Sequence, residues 1–177
     1  MSDLLKEPAP HPIADHLDGL VRRIAHAAAW LNLLLIGVIL AQVVLRYGFH
    51  HGLVPLEELM WHLYAVAFMF GIARAISTDS HIRVDLLHGM LPPRGKLWVE
   101  VLGITLLLMP FLWVVFDHSL SWVADAYRVG EASTSPQGLP HRWIIKAVIP
   151  VGFALMFLAA LARLLRALAA LFGRAPA

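Results

Sequence analysis

Four long apolar stretches, separated by short polar segments, dominate the 177-residue chain. They cover residues 24–45, 56–76, 97–116 and 143–161. Each holds about 20 residues, which at about 1.5 Å per helical residue suffices to cross a hydrocarbon core about 30 Å thick. The pattern therefore predicts an all-α integral membrane protein built as a four-helix bundle.

The polar segments divide the chain into three predicted parts. Residues 1–23 form an N-terminal segment, residues 24–165 a domain of four transmembrane helices, and residues 166–177 a tail. Within the domain, an outer segment over residues 117–142 joins the third span to the fourth. Its first half repeats apolar residues at helical spacing, so we expect the third helix to continue beyond the membrane.

Basic residues predict the orientation of the bundle. Cytoplasmic loops of membrane proteins carry an excess of Lys and Arg, and ten of the 14 basic residues fall on the side of the two termini. We therefore expect both termini and the loop between the second and third spans to be cytoplasmic. The ten are Lys6, Arg22, Arg23, Arg74, Arg83, Arg94, Lys96, Arg163, Arg166 and Arg174, and the other four are Arg46, Arg128, Arg142 and Lys146.

Composition narrows the function classes. Charged residues make up 15% of the chain, against about 25% in a typical soluble domain. A net charge of +2 is too small to indicate a nucleic-acid partner. The absence of cysteine excludes disulfides, thiolate metal sites and covalently attached c-type haem. No cofactor and no metal are expected.

Charged residues near the membrane occur only close to the predicted span ends. The relevant ones are Glu57, Glu58, Arg74, Glu100 and Lys146. Proton relays and ion sites usually place ionisable groups deep in the membrane, so the pattern disfavours a stand-alone ion-coupled transporter. One glutamate of the second span could pair with Lys146, and Arg74 with Glu100. The alternative is that each side chain reaches water independently.

Histidines raise one alternative function, because a membrane four-helix bundle can hold b-type haem between two facing imidazoles. The candidates in or near spans are His26, His62, His118 and His141. No two of them lie convincingly opposite each other at the same depth. A haem-carrying subunit or membrane anchor of a redox complex is kept as the alternative.

One face of the second span carries Trp61, Tyr64, Phe68 and Gly71 at intervals of three or four residues. Such spacing places them on one side of a helix. A small residue among bulky ones favours close helix packing. The face could pack within the bundle, or it could contact a partner subunit.

A polar motif follows the second span, with His81, Arg83 and Asp85 at alternate positions. One imidazole and one carboxylate are too few ligands for a metal site. Asp85 could cap a short amphipathic turn, and Arg83 could contact membrane lipid or a neighbouring subunit.

Four short motifs in fixed order resemble one known family. They are Glu57-Glu58 followed by Trp61 and Gly71, the motif His-Ile-Arg-Val-Asp at 81–85, the Leu-Pro-Pro-Arg break at 91–94, and the segment 131–136 continuing through 139–143 to 149–153. In this order they resemble the small membrane subunit of tripartite ATP-independent periplasmic (TRAP) transporters. The likeness covers about residues 20–165, and residues 139–143 are a variant of the family's usual apolar–Pro–aromatic pattern.

The resemblance implies a non-catalytic subunit of the bacterial inner membrane. It would serve an importer of an organic acid driven by an ion gradient, with sodium as the expected ion. The implied partners are a large multi-span membrane subunit, a periplasmic substrate-binding protein and membrane lipid. The small subunit would brace the large one and help to dock the binding protein.

The resemblance also suggests which surfaces meet these partners. The face from Trp61 to Gly71 and the motif 81–85 would contact the large subunit. The outer segment would touch the binding protein, and its candidate contact residues are Trp122, Tyr127, Arg128 and Glu131.

Overall fold

A computed structural model describes residues 11–78 and 91–172 of the chain, and these residues are helical apart from the turn at Trp30, the connections 49–53 and 129–142, and the residues at the ends of the two ranges. A π-helical turn, Gly103–Leu108, joins the fourth helix to the fifth. The α-helices are α1 (Pro12–Ala29), α2 (Leu31–Gly48), α3 (Val54–Ser77), α4 (Pro93–Leu102), α5 (Met109–Arg128) and α6 (Trp143–Phe172).

Four helical stretches in the described ranges are long and apolar enough to cross a membrane, which confirms the predicted fold class. Each predicted apolar run lies inside one of them. Helices α1 and α2 together make the first stretch, with a turn at Trp30 between them. The stretches are Pro12–Gly48, Val54–Ser77, Pro93–Arg128 and Trp143–Phe172.

Helix α1 begins at Pro12, well before the first apolar run. Pro12 suits a first helical position, and the His11 imidazole accepts a hydrogen bond from the Ala14 backbone N–H at 3.5 Å. The buried face of α1 consists of Ala14, Val21, Ala25 and Ala28. Polar residues on the other face of α1 interrupt the apolar run. The helix therefore begins before residue 24, where the first continuous apolar run begins.

Helix α6 is the centre of the bundle. It packs against α1, α3, α4 and α5, and Ala159, Ala160 and Ala162 are completely buried. At Gly152 an added Cβ atom would lie 2.9 Å from Cε of Met69 on α3, so the two helices approach closely. The core comprises Val21, Ala73, Ile76, Ile104, Leu112, Leu155, Met156, Ala159 and Ala160.

Helix α2 lies at the edge of the bundle and packs mainly against α3. Its only buried residues are Val38 and Gln42. The Gln42 side chain accepts a hydrogen bond from the Leu53 N–H and donates one to the Leu53 carbonyl, both at 3.2 Å. This amide therefore fixes the loop that leads into α3, and the apolar remainder of α2 is open to lipid or another protein.

The third span widens into the π-helical turn just before Pro110. Proline lacks an N–H donor, and its ring clashes with the carbonyl four residues earlier in an α-helix. A wider turn is one way to accommodate that clash without ending the helix. The helix then continues to Arg128, as the spacing in the outer segment predicts.

Candidate functional site

The Glu58 carboxylate holds the loop between α5 and α6. One carboxylate oxygen accepts a hydrogen bond from the Ser133 hydroxyl, and the other accepts one from the Leu139 N–H at 2.6 Å. Both donors lie more than 70 positions further along the chain. We call the end of the bundle that carries this loop the Glu58 end.

The loop is compact because it is also bonded to itself. The Ser133 N–H donates to the Leu139 carbonyl at 3.1 Å, and the Gly138 N–H donates to the Ser135 carbonyl at 2.9 Å. A Cβ atom at Gly138 would stand only 2.7 Å from Oε1 of Glu58. A glycine at this position therefore lets the backbone fold over the carboxylate.

A second cluster joins the loop to α6. The Lys146 ammonium pairs with Glu131 and lies 4.1 Å from the ring centroid of Trp122 on α5. Only 11% of the Lys146 side chain is exposed, so the carboxylate and the electron-rich ring face replace much of its hydration. A cavity of about 290 Å³ opens beside this cluster, lined by Ala65, Met69, Trp122, Glu131, Arg142, Ile145, Lys146, Val148 and Ile149.

The ion pairs expected from the sequence have other partners in the structure. Lys146 pairs with Glu131 and not with Glu57 or Glu58, since the loop brings Glu131 over the start of α6. Glu57 instead lies 3.5 Å from Arg46 at the end of α2, and both side chains are well exposed.

The pairing at the opposite end of the bundle also differs from the prediction. Glu100 on α4 pairs with Arg163 on α6 and not with Arg74. Arg163 also donates to the Ile76 carbonyl at the end of α3, at 3.5 Å. Arg74 is exposed in the last turn of α3. The central position of α6 explains the outcome, because its arginine reaches α3 and α4 together.

Arg166 of α6 binds α1 at the same end of the bundle as the Glu100–Arg163 pair. We call this end the Arg166 end. Arg166 lies 2.9 Å from Asp15 and also pairs with Asp18. Asp18 accepts a further hydrogen bond from the Ser77 hydroxyl at 2.7 Å. These contacts join α1, α3 and α6. These contacts are not predicted from the sequence, because residues 12–23 lie before the first apolar run and are not expected to be helical.

The aromatic face of α3 points away from the bundle. Trp61 is 68% exposed, and Tyr64 and Phe68 are each 52% exposed. The rings of Tyr64 and Phe68 stack at 5.8 Å. Gly71 is exposed on the same face, with no atom within 4 Å of where a Cβ would lie. Of the two uses considered for this face, packing within the bundle is not observed.

The four candidate docking residues separate into two pairs. Tyr127 and Arg128, at the end of α5, are largely exposed, with the Tyr127 ring against Trp143 and Arg128 3.7 Å from Asp125. Trp122 and Glu131 are engaged with Lys146 instead. The tip of α5 is therefore the more available surface of the predicted outer segment.

Two further predictions concern the polar motif after α3 and metal binding. The motif His81, Arg83 and Asp85 lies outside the described residues. Within the described ranges, no group of three or more His, Asp or Glu side chains is arranged to hold a metal ion.

Comparison with known proteins gives a family-level match. The family described as "Tripartite ATP-independent periplasmic transporters, DctQ component" matches residues 35–170, which is most of the chain. The chain is also 25% identical over 104 residues to a putative TRAP transporter small permease protein of Haemophilus influenzae (strain ATCC 51907 / DSM 11121 / KW20 / Rd). It is 25% identical over 121 residues to the sialic acid TRAP transporter permease protein SiaT of Haemophilus influenzae (strain 86-028NP).

These two matches differ in coverage. The match to the small permease protein covers 59% of this chain and 65% of the relative. The match to SiaT covers 68% of this chain but only 19% of that relative. The chain therefore corresponds to a small part of the longer protein.

Proposed function

Because the chain belongs to the DctQ family of TRAP transporter components, we propose that it braces the large membrane subunit of an organic-acid importer and helps to dock a periplasmic binding protein. As a small TRAP subunit it is an inner-membrane transporter component and not an enzyme. The haem-carrying or redox-anchor alternative gains no support from this family.

The observation that supports the proposed role is that α3 both holds a loop at one end of the bundle and exposes an aromatic face. Its first turn provides Glu58, which holds the loop of the Glu58 end. Its exposed face provides Trp61, Tyr64, Phe68 and Gly71. One rigid helix can thus connect a loop for docking to a face that contacts the large subunit.

Exposed aromatic rings beside a glycine suit contact between membrane helices. Without a strong hydrophobic driving force in lipid, helix association depends on close van der Waals packing, and small residues permit close approach. In our proposal the large subunit places a helix against Gly71, between Phe68 and the end of α3. The motif 81–85 then follows directly after this contact, and we propose that it contacts the same subunit.

A glycine comparison tests this interface. At both Gly71 and Gly37 an added Cβ would meet no atom within 4 Å, so leucine at either position should leave the fold of this chain intact. We expect Gly71→Leu to reduce co-purification with the co-expressed large subunit strongly, and Gly37→Leu on α2 to reduce it little. Equal yields from the two variants would contradict the proposed face.

The fold of each variant is checked separately by its monodispersity and thermal midpoint in detergent. Co-purification of the unaltered chain with the large subunit tests the family-level role, independently of the face. If the unaltered chain formed no complex, the bracing role itself would fail.

Docking of the binding protein is proposed at Tyr127 and Arg128. We expect Tyr127→Ala with Arg128→Ala to weaken binding of the binding protein to the reconstituted complex. Trp113→Ala with Phe116→Ala is the matched control, since it removes a contacting aromatic pair elsewhere on α5. An unchanged dissociation constant for the first pair would remove this surface from the proposal.

The substrate class is proposed as an organic acid, imported with an ion gradient for which sodium is the expected ion. One relative is named a sialic acid transporter, and sialic acid is a carboxylic acid. No ionisable side chain of α2 lies in its central part, and Glu57, Glu58, Glu100 and Lys146 all lie within the first eight residues of their helical stretches. We therefore propose that substrate and ion bind in the large subunit.

A further inference from the structure

Helix α1 separates its charges by sign. Its two aspartates, Asp15 and Asp18, are both paired with Arg166 of α6, and Asp18 also accepts from Ser77. Its two arginines, Arg22 and Arg23, are exposed. Neither arginine has an ion-pair partner anywhere in residues 11–78 and 91–172. Asp18 is largely buried, whereas Asp15 is 57% exposed about two turns before the arginines. The arginines are therefore the exposed α1 charges that lie nearer to the membrane span.

The exposed arginines lie close to a membrane boundary. Helix α1 continues through the turn at Trp30 into α2, which is apolar enough to span the bilayer. Trp30 lies seven positions after Arg23, or about 10 Å along a helix. Trp30 is 64% exposed, and tryptophan is enriched at the level of the lipid headgroups. The arginines are thus within reach of lipid phosphates.

Apolar residues accompany the arginines on the open surface of α1. Ile13 is 60% exposed and Leu20 is 46% exposed, whereas Ala14, Val21 and Ala25 are buried against the bundle. The main apolar side of α1 is thus covered by the bundle, and Ile13 and Leu20 are the apolar side chains left open to the acyl chains at a membrane interface.

We propose that α1 lies at the membrane interface and that Arg22 and Arg23 bind the headgroups of anionic phospholipids in the adjacent leaflet. Two observations favour lipid over a soluble partner: the direct continuity of α1 with a membrane span, and the exposed Leu20, which lies one turn before Arg23 on the same side of the helix. Arg166 offsets one of the two aspartate charges, and Asp18 is turned inward with 16% of its side chain exposed, so Arg22 and Arg23 are the α1 charges that lie towards Trp30 and the span.

A site-specific label can test the proposal in the full-length chain. The protein has no cysteine, so Ala27→Cys, at an exposed position one turn beyond Arg23, provides a unique attachment point for a fluorophore. The labelled chain is reconstituted in phosphatidylcholine vesicles. One set of vesicles contains a small amount of nitroxide-labelled phosphatidylglycerol, and a second set contains the same amount of nitroxide-labelled phosphatidylcholine. In both probes the nitroxide is near the headgroup.

We expect the phosphatidylglycerol probe to quench the fluorophore more strongly than the phosphatidylcholine probe. One basic residue near an anionic lipid surface strengthens binding to that surface by roughly fivefold. Arg22→Gln with Arg23→Gln should therefore remove most of the preference for phosphatidylglycerol. Raising the salt from about 0.15 M to about 1 M shortens the screening length from about 8 Å to about 3 Å and should also weaken it. Arg22→Lys with Arg23→Lys should retain it.

The matched control is Arg94→Gln with Lys96→Gln, which removes two positive charges from α4, near the same end of the bundle. It should leave the preference at the α1 label largely unchanged. Three results would overturn the proposal: equal quenching by both probes in the unaltered chain, an equal loss in the α4 control, or no quenching by either probe. The last result would mean that protein covers this surface.

Discussion

Glu57 and Glu58 are adjacent in the first turn of α3 but have different surroundings. Glu58 accepts hydrogen bonds from two parts of a distant loop. Glu57 forms an exposed ion pair with Arg46 at 3.5 Å, and exposed pairs of this kind contribute about 1 kcal/mol or less. The difference comes from the direction of each side chain on the helix, since only Glu58 faces the loop.

We expect Glu58→Gln to loosen the loop over residues 131–142. Ser133 and the Leu139 N–H donate to different oxygens of Glu58. Gln carries an NH₂ group in place of one of them, so in the same geometry it loses one of the two acceptors. Hydrogen–deuterium exchange of loop peptides should accelerate in this variant.

Glu57→Gln is the control at the neighbouring position and should leave exchange in the loop near the unaltered rate. Equal protection of the loop in Glu58→Gln would show that its own backbone hydrogen bonds suffice to hold it.

Helix α6 shows how small side chains serve packing at the level of an element. Its buried residues include Gly152, Ala159, Ala160 and Ala162, which let α3 and α5 approach it closely. Pro150 is also buried within this helix. Gly152 packs against α3 of the same chain, whereas Gly71 faces outward, where we propose that a helix of the large subunit packs.

Gly152→Leu should destabilise the chain by itself. Its Cβ would stand 2.9 Å from Cε and 3.2 Å from Cβ of Met69, and overpacking of this kind typically costs about 1–3 kcal/mol. The thermal midpoint of the purified chain in detergent should fall below that of the unaltered protein.

Gly71→Leu serves as the comparison, because it should leave the midpoint of the isolated chain nearly unchanged. If both variants melted like the unaltered chain, the close approach of α3 and α6 would not matter for stability.

The whole molecule buries little of its apolar surface on its own. In the most apolar window of each span, 33% of residues are buried in α6, but only 11% to 17% in the other three. Lipid or partner protein must cover the remainder in the membrane. Such a surface suits a subunit that works within a larger assembly, and it supports the proposed bracing role.

The orientation of the whole molecule is a separate prediction. With both termini cytoplasmic, the Glu58 end faces the periplasm and the Arg166 end faces the cytoplasm. A membrane-impermeant thiol reagent should therefore modify Val129→Cys in intact spheroplasts, and Arg94→Cys only after lysis. The native chain has no cysteine, so it is the background control, and the reverse labelling pattern would invert the assignment.

Particular residues show how far sequence reasoning reached. Run length and helical spacing predicted the four spans, the extension of α5 and the common face of Trp61, Tyr64 and Phe68. The same reasoning left open whether Lys146 pairs with a glutamate of α3 and Glu100 with Arg74, whereas the structure pairs Lys146 with Glu131 and Glu100 with Arg163. It also overlooked Asp15 and Asp18, because a helix with one polar face does not produce a continuous apolar run.

The sequence alone determined what depends on neighbours along the chain. Helices follow from hydrogen bonds between residues four apart and from apolar length, and both are local properties. Tertiary structure decided which charges meet, because that depends on how each helix is rotated and which helices are adjacent. Arg166 therefore contacts α1, and Glu58 contacts a loop more than 70 residues away.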